Sequence, residues 1–121
     1  MGRGEDEGAR FQLVLLRHGL TDWNEDGRLM GRAGVELNER GHEQARIVTR
    51  ALAALPVKAV YSSPRPRCLQ TAEPIADAHH RKVLVDAGFD EVWLHDAWVG
   101  KRVSELRGDS DLERLIVDPA H

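Results

Sequence analysis

Apolar positions crowd together first in Phe11-Gln12-Leu13-Val14-Leu15-Leu16. The nearly unbroken run over residues 10–17 predicts a strand covered on both faces. Residues 19–37 are glycine-rich with little periodicity and read as a long loop, and long loops after core strands are more often functional than accidental. Asn38 then caps a helix expected to run through Leu55, with Ala45, Val48, Leu52 and Leu55 on one stripe and Pro56 as its stop. Residues 57–62 read as a second buried strand. Ser63-Pro64 opens the next helix, with serine at the cap and proline in the first turn, and it runs to about His79. Residues 82–85 form a third strand, followed by an irregular segment to Gly100 and short helices near residues 103–106 and 112–117. The order β, α, β, α, β predicts an α/β fold with a parallel sheet.

Composition narrows the picture without changing it. At 121 residues, with 41% hydrophobic and 31% charged residues and a formal net charge of −3, the chain is one domain or part of one. That balance excludes a collagen-like, disulfide-rich or fully disordered chain. With no basic excess or stripe, nucleic acid is not expected as the main partner. The single cysteine, Cys68, cannot form an internal disulfide. It fits a reducing cytoplasm and reads as a small buried hydrophobe on a helix. No apolar stretch approaches the roughly 20 residues needed to span a bilayer, so no membrane partner is expected. Residues 1–9 are glycine-rich and charged, without the apolar stretch of a signal peptide, and are expected to be a solvated, disordered tail, with the domain occupying residues 10–121.

The chemistry concentrates in Arg17-His18-Gly19-Leu20-Thr21-Asp22-Trp23-Asn24, at the carboxyl end of the first strand, where open α/β sheets place their sites. A phosphate needs cations, forked donors and backbone N–H groups to replace its water. Arg17 can supply a bidentate guanidinium, Gly19 allows close backbone approach, and Thr21 and Asn24 add neutral donors. If one ring nitrogen of His18 donates to a backbone carbonyl, the other becomes a lone-pair nucleophile. An isolated histidine in such a place more often just satisfies a strand end. The second stretch, Tyr61-Ser62-Ser63-Pro64-Arg65-Pro66-Arg67-Cys68-Leu69-Gln70-Thr71-Ala72, changes that balance. It places arginine in the first turn of a helix, which is electrostatically unfavourable unless an anion is present. Arg67 is the better candidate for that role, and Arg65 fits a solvated surface arginine.

Arg17-His18-Gly19 with Asn24, then Leu37, Gly41, Gln44 and Ala45, then Ser62-Ser63-Pro64 with Arg67, Thr71 and Ala72, resembles the histidine phosphatase superfamily, which also contains the cofactor-dependent phosphoglycerate mutases. The resemblance runs from about Phe11 to Pro119. It implies a three-layer α/β/α fold with a mainly parallel sheet of the phosphoglycerate mutase type. It also implies that His18 is phosphorylated during turnover, that Arg17 and Arg67 grip the phosphoryl group, and that an acid after the third strand protonates the leaving group. Asp86, Asp90, Glu91 and Asp96 are the candidates for that acid, and Glu91 best matches the family position. The sequence departs from the family pattern at His95, where glycine is usual, at Trp98 and Gly100, which sit one place late, and at Gly34, which replaces an acidic residue. Val92-Trp93-Leu94 stands where the mutases carry arginine-histidine-tyrosine-glycine, which turns the reading toward a phosphatase. Trp93 and Trp98 either line a pocket or pack.

Family members complete the cationic pocket with a second, late histidine. His42 lies in the first helix, His79 and His80 end the second, and His121 is terminal, so none is expected to play that part. His79-His80 reads as a solvated helix end rather than a metal pair, since adjacent helical residues face different ways. The chain is therefore expected to be the N-terminal part of a longer domain, truncated at its C-terminal side. An unpaired flank on the first strand would then invite self-association or leave the product marginally stable. Three readings follow: a phosphomonoesterase acting on a small phosphate ester without metal or cofactor, a mutase that returns the phosphoryl group to substrate, or an inactive remnant that still binds phosphate.

Overall fold

The computed structural model describes residues 12–91 and 97–106. The expected tail over residues 1–9 and the expected helix at 112–117 lie outside them. Within them the chain forms α1 (Asp22–Glu25), α2 (Glu39–Leu52), β1 (Val60–Ser62), α3 (Pro66–Ala78) and β2 (Val83–Val85), with 3-10 turns at Ala87–Phe89 and Val103–Leu106.

β1 and β2 pair in parallel, with Val60 opposite Val83, Tyr61 opposite Leu84 and Ser62 opposite Val85. α3 connects them, packs on both strands and takes α2 on its other side. Leu37, Ala45, Ala72, Ile75 and Ala76 are buried. Most of these are small, as suits two helices packed closely on each other. Among the described residues no helix is long and apolar enough to cross a membrane.

Several boundaries differ from expectation, for local reasons. α2 stops at Leu52, and the next residues close with the shorter bonds Ala53 N–H to Arg50 C=O and Leu55 N–H to Leu52 C=O. Pro56 disfavours helical geometry at Leu55, so the helix has nowhere to continue. α3 begins at Pro66, and the residue at its cap is Arg65, not Ser63. Proline at 66 pushes Arg65 into extended geometry (φ −69, ψ 138), which bars an earlier start. The second and third strands are shorter than expected, at three residues each. The first loop holds a helical turn, α1, where none was expected.

The larger correction concerns the first apolar run. Residues 12–20 are not a strand, and among the described residues no backbone hydrogen bond reaches residues 12–17. Leu13 is 72% exposed and Leu15 80%, on one side of the run, and Val14 and Leu16 are exposed on the other. Apolar content alone does not make a strand: the ladder needs a neighbour, and the two strands described pair with each other.

Candidate active site

The segment leaving the apolar run is fixed by an unusually close passage over α2. A Cβ on Gly19 would stand 2.6 Å from the Gly41 carbonyl oxygen, and one on Gly41 would stand 2.1 Å from that of Leu20. Only glycine at both positions permits this approach. Hydrogen bonds then stitch the segment to both helices. Leu20 N–H donates to Gln44 Oε1 at 2.9 Å, Asn38 N–H to the Leu20 carbonyl at 3.0 Å, and Gly19 N–H to Thr71 Oγ1 at 3.0 Å. The Thr71 hydroxyl in turn donates to the Arg67 carbonyl at 2.8 Å.

This seam holds His18. Its Nδ1 lies 2.6 Å from the Gly19 carbonyl oxygen. A carbonyl only accepts, so Nδ1 carries the hydrogen and Nε2 is left with a lone pair. Burial holds the imidazole below its ordinary range; the positive charges of Arg67 and Arg17 act in the same direction, against the Gly19 carbonyl and Glu91. His18 thus rests as a neutral, oriented base. With Arg17, Gly19 and Asn24 it lines a cleft of about 520 Å³ that also runs along Ile47 and Val48 of α2.

Not every residue expected to face a ligand does so. Gly19 gives its N–H to Thr71, and its missing Cβ faces Gly41. Thr21 is fully buried and caps α1: it accepts from Asn24 N–H at 3.0 Å, while Asn24 Oδ1 accepts from Thr21 N–H at 3.0 Å and lies 3.1 Å from the Thr21 hydroxyl. The exposed N–H groups of a first turn claim such side chains before any ligand can. Asn24 still reaches the cleft, and Arg17 stands exposed beside it.

Arg67 is 0% exposed. Its Nη1 donates to the Ala33 carbonyl at 2.8 Å and its Nη2 to that of Gly31 at 2.6 Å, so both terminal nitrogens clamp the first loop onto α3. Its buried Nε has no partner. Arg67 does not line the cleft; it acts on His18 through its field. Glu91 Oε2 lies 3.8 Å from Arg67 Nη2 and also bears electrostatically on His18.

Of the other expected acids, Asp86 caps the 3-10 turn through Gly88 N–H at 2.8 Å, and Asp96 lies outside the described residues, as does Trp93. Asp90 is taken up by Arg65. The Arg65 Nε lies 3.0 Å from Asp90 Oδ1 and its Nη2 3.2 Å from Oδ2, while its Nη1 donates to the Arg32 carbonyl. Arg65 is therefore a paired, partly buried arginine rather than a solvated one, because Asp90 arrives from the loop after β2 to meet it. Arg32, Arg65 and Asp90 form a group that sequence reasoning did not assemble. No spacing signal links positions so far apart, although Asp90 preceding Glu91 was visible as a pair of acids.

Of the expected solvated helix end, His80 is exposed, but His79 is half-buried with Nε2 3.0 Å from the Leu52 carbonyl at the end of α2, because the two helices pack on each other there. His95 and His121 lie outside the described residues. Among the described residues no three histidine, cysteine, aspartate or glutamate side chains converge as a metal site requires.

Known proteins place this arrangement. The chain is 33% identical over 110 residues to phosphoserine phosphatase 1 of Hydrogenobacter thermophilus, covering 89% of this chain and 52% of that protein. It is 35% identical over 104 residues to the glucosyl-3-phosphoglycerate phosphatase of Mycolicibacterium vanbaalenii, covering 86% and 46%. Among solved structures, a mycobacterial glucosyl-3-phosphoglycerate phosphatase in complex with VO3 superposes with a TM-score of 0.75 at 30% identity, over 82% of this chain and 47% of that one. Phosphoserine phosphatase from Entamoeba histolytica in complex with 3-phosphoglyceric acid gives 0.74 at 32% identity, over 83% and 49%. The chain spans about half the length of these relatives. The family model of the histidine phosphatase superfamily (branch 1) matches residues 13–119. A neutral, oriented histidine beside arginines, on an α/β frame shared at this identity with phosphatases, is thus what it resembled in sequence: the chain belongs to the histidine phosphatase superfamily.

Proposed function

We propose that this chain carries the nucleophile-bearing part of a phosphomonoesterase that works through a phosphohistidine on His18. One observation carries the reading. The Nδ1–H bond to the Gly19 carbonyl, together with burial and two nearby arginines, keeps Nε2 unprotonated in a ring that lines the cleft. In the first step Nε2 attacks phosphorus and the P–O bond to the departing alcohol breaks. Glu91, having taken up a proton from solvent, delivers it to that oxygen. In the second, water attacks the phosphohistidine, Glu91 takes the proton, and inorganic phosphate leaves with Nε2 restored. Exposed Arg17 holds the phosphoryl oxygens with Asn24 beside it, and buried Arg67 supplies fixed positive charge as the transferring group moves. These roles need no metal, because the arginines provide the field. The substrate class is a small phosphate ester, and the compartment is the cytoplasm, consistent with one cysteine and no internal disulfide.

The test is hydrolysis of an aryl phosphate by the chain in the presence of a chelator. Turnover that falls at least about a thousandfold in His18→Ala, with an acid-labile phosphoryl group trapped only on the native chain, is the expected result. Equal activity in the two proteins overturns the reading. Transfer of the phosphoryl group to a second phosphate ester in preference to water identifies the mutase alternative. Phosphate binding without turnover in either protein identifies the inactive remnant.

A further inference from the structure

The loop after β2 brings Glu91 to Arg67 with both of its backbone polar groups already held. Glu91 N–H donates to Asp90 Oδ1 at 2.7 Å, and the Glu91 carbonyl accepts from Arg32 Nε at 2.8 Å. Asp90 is itself anchored. Its carboxylate, 5% exposed, accepts one hydrogen bond from Arg65 Nη2, has Arg65 Nε 3.0 Å away as an ionic contact that makes no hydrogen bond, and has Arg32 Nε at 3.7 Å. Arg65 closes the ring by donating to the Arg32 carbonyl. One residue at the cap of α3, one from the first loop and one from the loop after β2 thus fix Glu91 at its N–H and its C=O.

A carboxylate in so little water is stable only when its lone pairs and charge are met. Asp90 meets that condition with two guanidiniums and an amide. Anchoring the backbone on both sides fixes where the Glu91 side chain begins, and its carboxylate, on a side chain 42% exposed, lies 3.8 Å from Arg67.

We propose that Asp90, acting with Arg32 and Arg65, is the positioning residue for Glu91: it places the root of that side chain so that the carboxylate meets Arg67. The proposal rests on the assignment of Glu91 as the proton donor, but its test does not depend on turnover.

The test is the titration of the His18 ring, followed by NMR in the full chain, across a double-substitution cycle. Arg17, Arg67 and Glu91 are the charged groups that bear on that ring. Glu91 favours the charged ring, so removing its charge in Glu91→Gln lowers the midpoint, by about 0.3 pH unit or more for a unit charge acting across a partly solvated surface. If Asp90 acts by placing Glu91, Asp90→Asn lowers it too, and the double variant shifts it no further than Glu91→Gln alone. Additive shifts mean that Asp90 acts on His18 only by its own charge, and they overturn the proposal. So does an unmoved midpoint in Glu91→Gln. Arg32→Lys provides a second arm that keeps the net charge while removing the Nε–H that bonds the Glu91 carbonyl. It is expected to lower the midpoint as Asp90→Asn does, and it decides the question should Asp90→Asn unfold. Failure to hydrolyse an aryl phosphate overturns the functional reading and leaves this cycle to be judged by itself.

Discussion

Two stretches of this chain meet at His18 and could hardly be treated more differently. From Gly19 to Leu37 the backbone is sewn to the helices by side chains far along the sequence: Gln44 and Thr71 to the segment after His18, Gln70 to Leu37 N–H at 2.8 Å. Before His18, Leu13-Val14-Leu15-Leu16 is a run of four large apolar residues, yet among the described residues it has no ladder and stands open on both faces. The contrast separates two kinds of instruction. Capping, close glycine contact and amide stitching are completed by residues within this chain. An apolar strand is a request for neighbours, and it is answered only where they are present.

The most severe way to break the contrast is at its tightest point. Gly41→Ala in an isolated helix would gain up to about 1 kcal/mol from propensity. Here the new methyl meets the Leu20 carbonyl, so the expected outcome is the opposite sign, a loss of about 2–4 kcal/mol in urea denaturation, as for other overpacked or strained sites. A stabilised Gly41→Ala chain would mean that the seam is loose.

The apolar run should respond in the reverse manner. Lysine at Leu13 and Leu15 is expected to change the unfolding free energy by less than about 0.5 kcal/mol, since both side chains already face solvent. It should, however, shift sedimentation from associated species toward monomer, because exposed edges and apolar faces drive self-association. A large loss of stability instead would show that the run is covered within a single copy.

This also explains what could be read in advance. Asn38 as a cap was legible because its bond to Gly41 N–H is local. The two helices and the parallel strands followed from periodicity, and the chemistry of Arg17 and His18 from a short motif. A proline in the first turn of α3 was legible, but that proline is Pro66 rather than Pro64, so the helix starts later than expected. The ring of Arg32, Arg65 and Asp90 was not legible, because nothing local marks a pairing between residues 25 to 58 positions apart, and neither was the use of Thr21 as a cap rather than a ligand donor. Residues 10–17 misled for a third reason: their pattern describes the company a strand needs, not the company it has.

The smallest expected effect lies at the meeting point itself. Burial holds the His18 imidazole below its ordinary value of 6.5, so the unfolded chain takes up this proton first as the pH falls. Between 6.5 and the lower folded value the unfolded state binds more protons, and stability therefore rises with pH across that window. The contribution is fully present above 6.5, falls as the pH drops through the window, and is level below both values. Urea midpoints at pH 7.5 and 5.5 should drop more for the native chain than for His18→Gln. With the ring only half-buried, solvent screening keeps the difference well under about 1 kcal/mol. A difference of the opposite sign would mean that the Gly19 carbonyl and Glu91, which favour the charged ring, outweigh burial. His18 would then belong electrostatically to the open side of the molecule rather than to the sewn one.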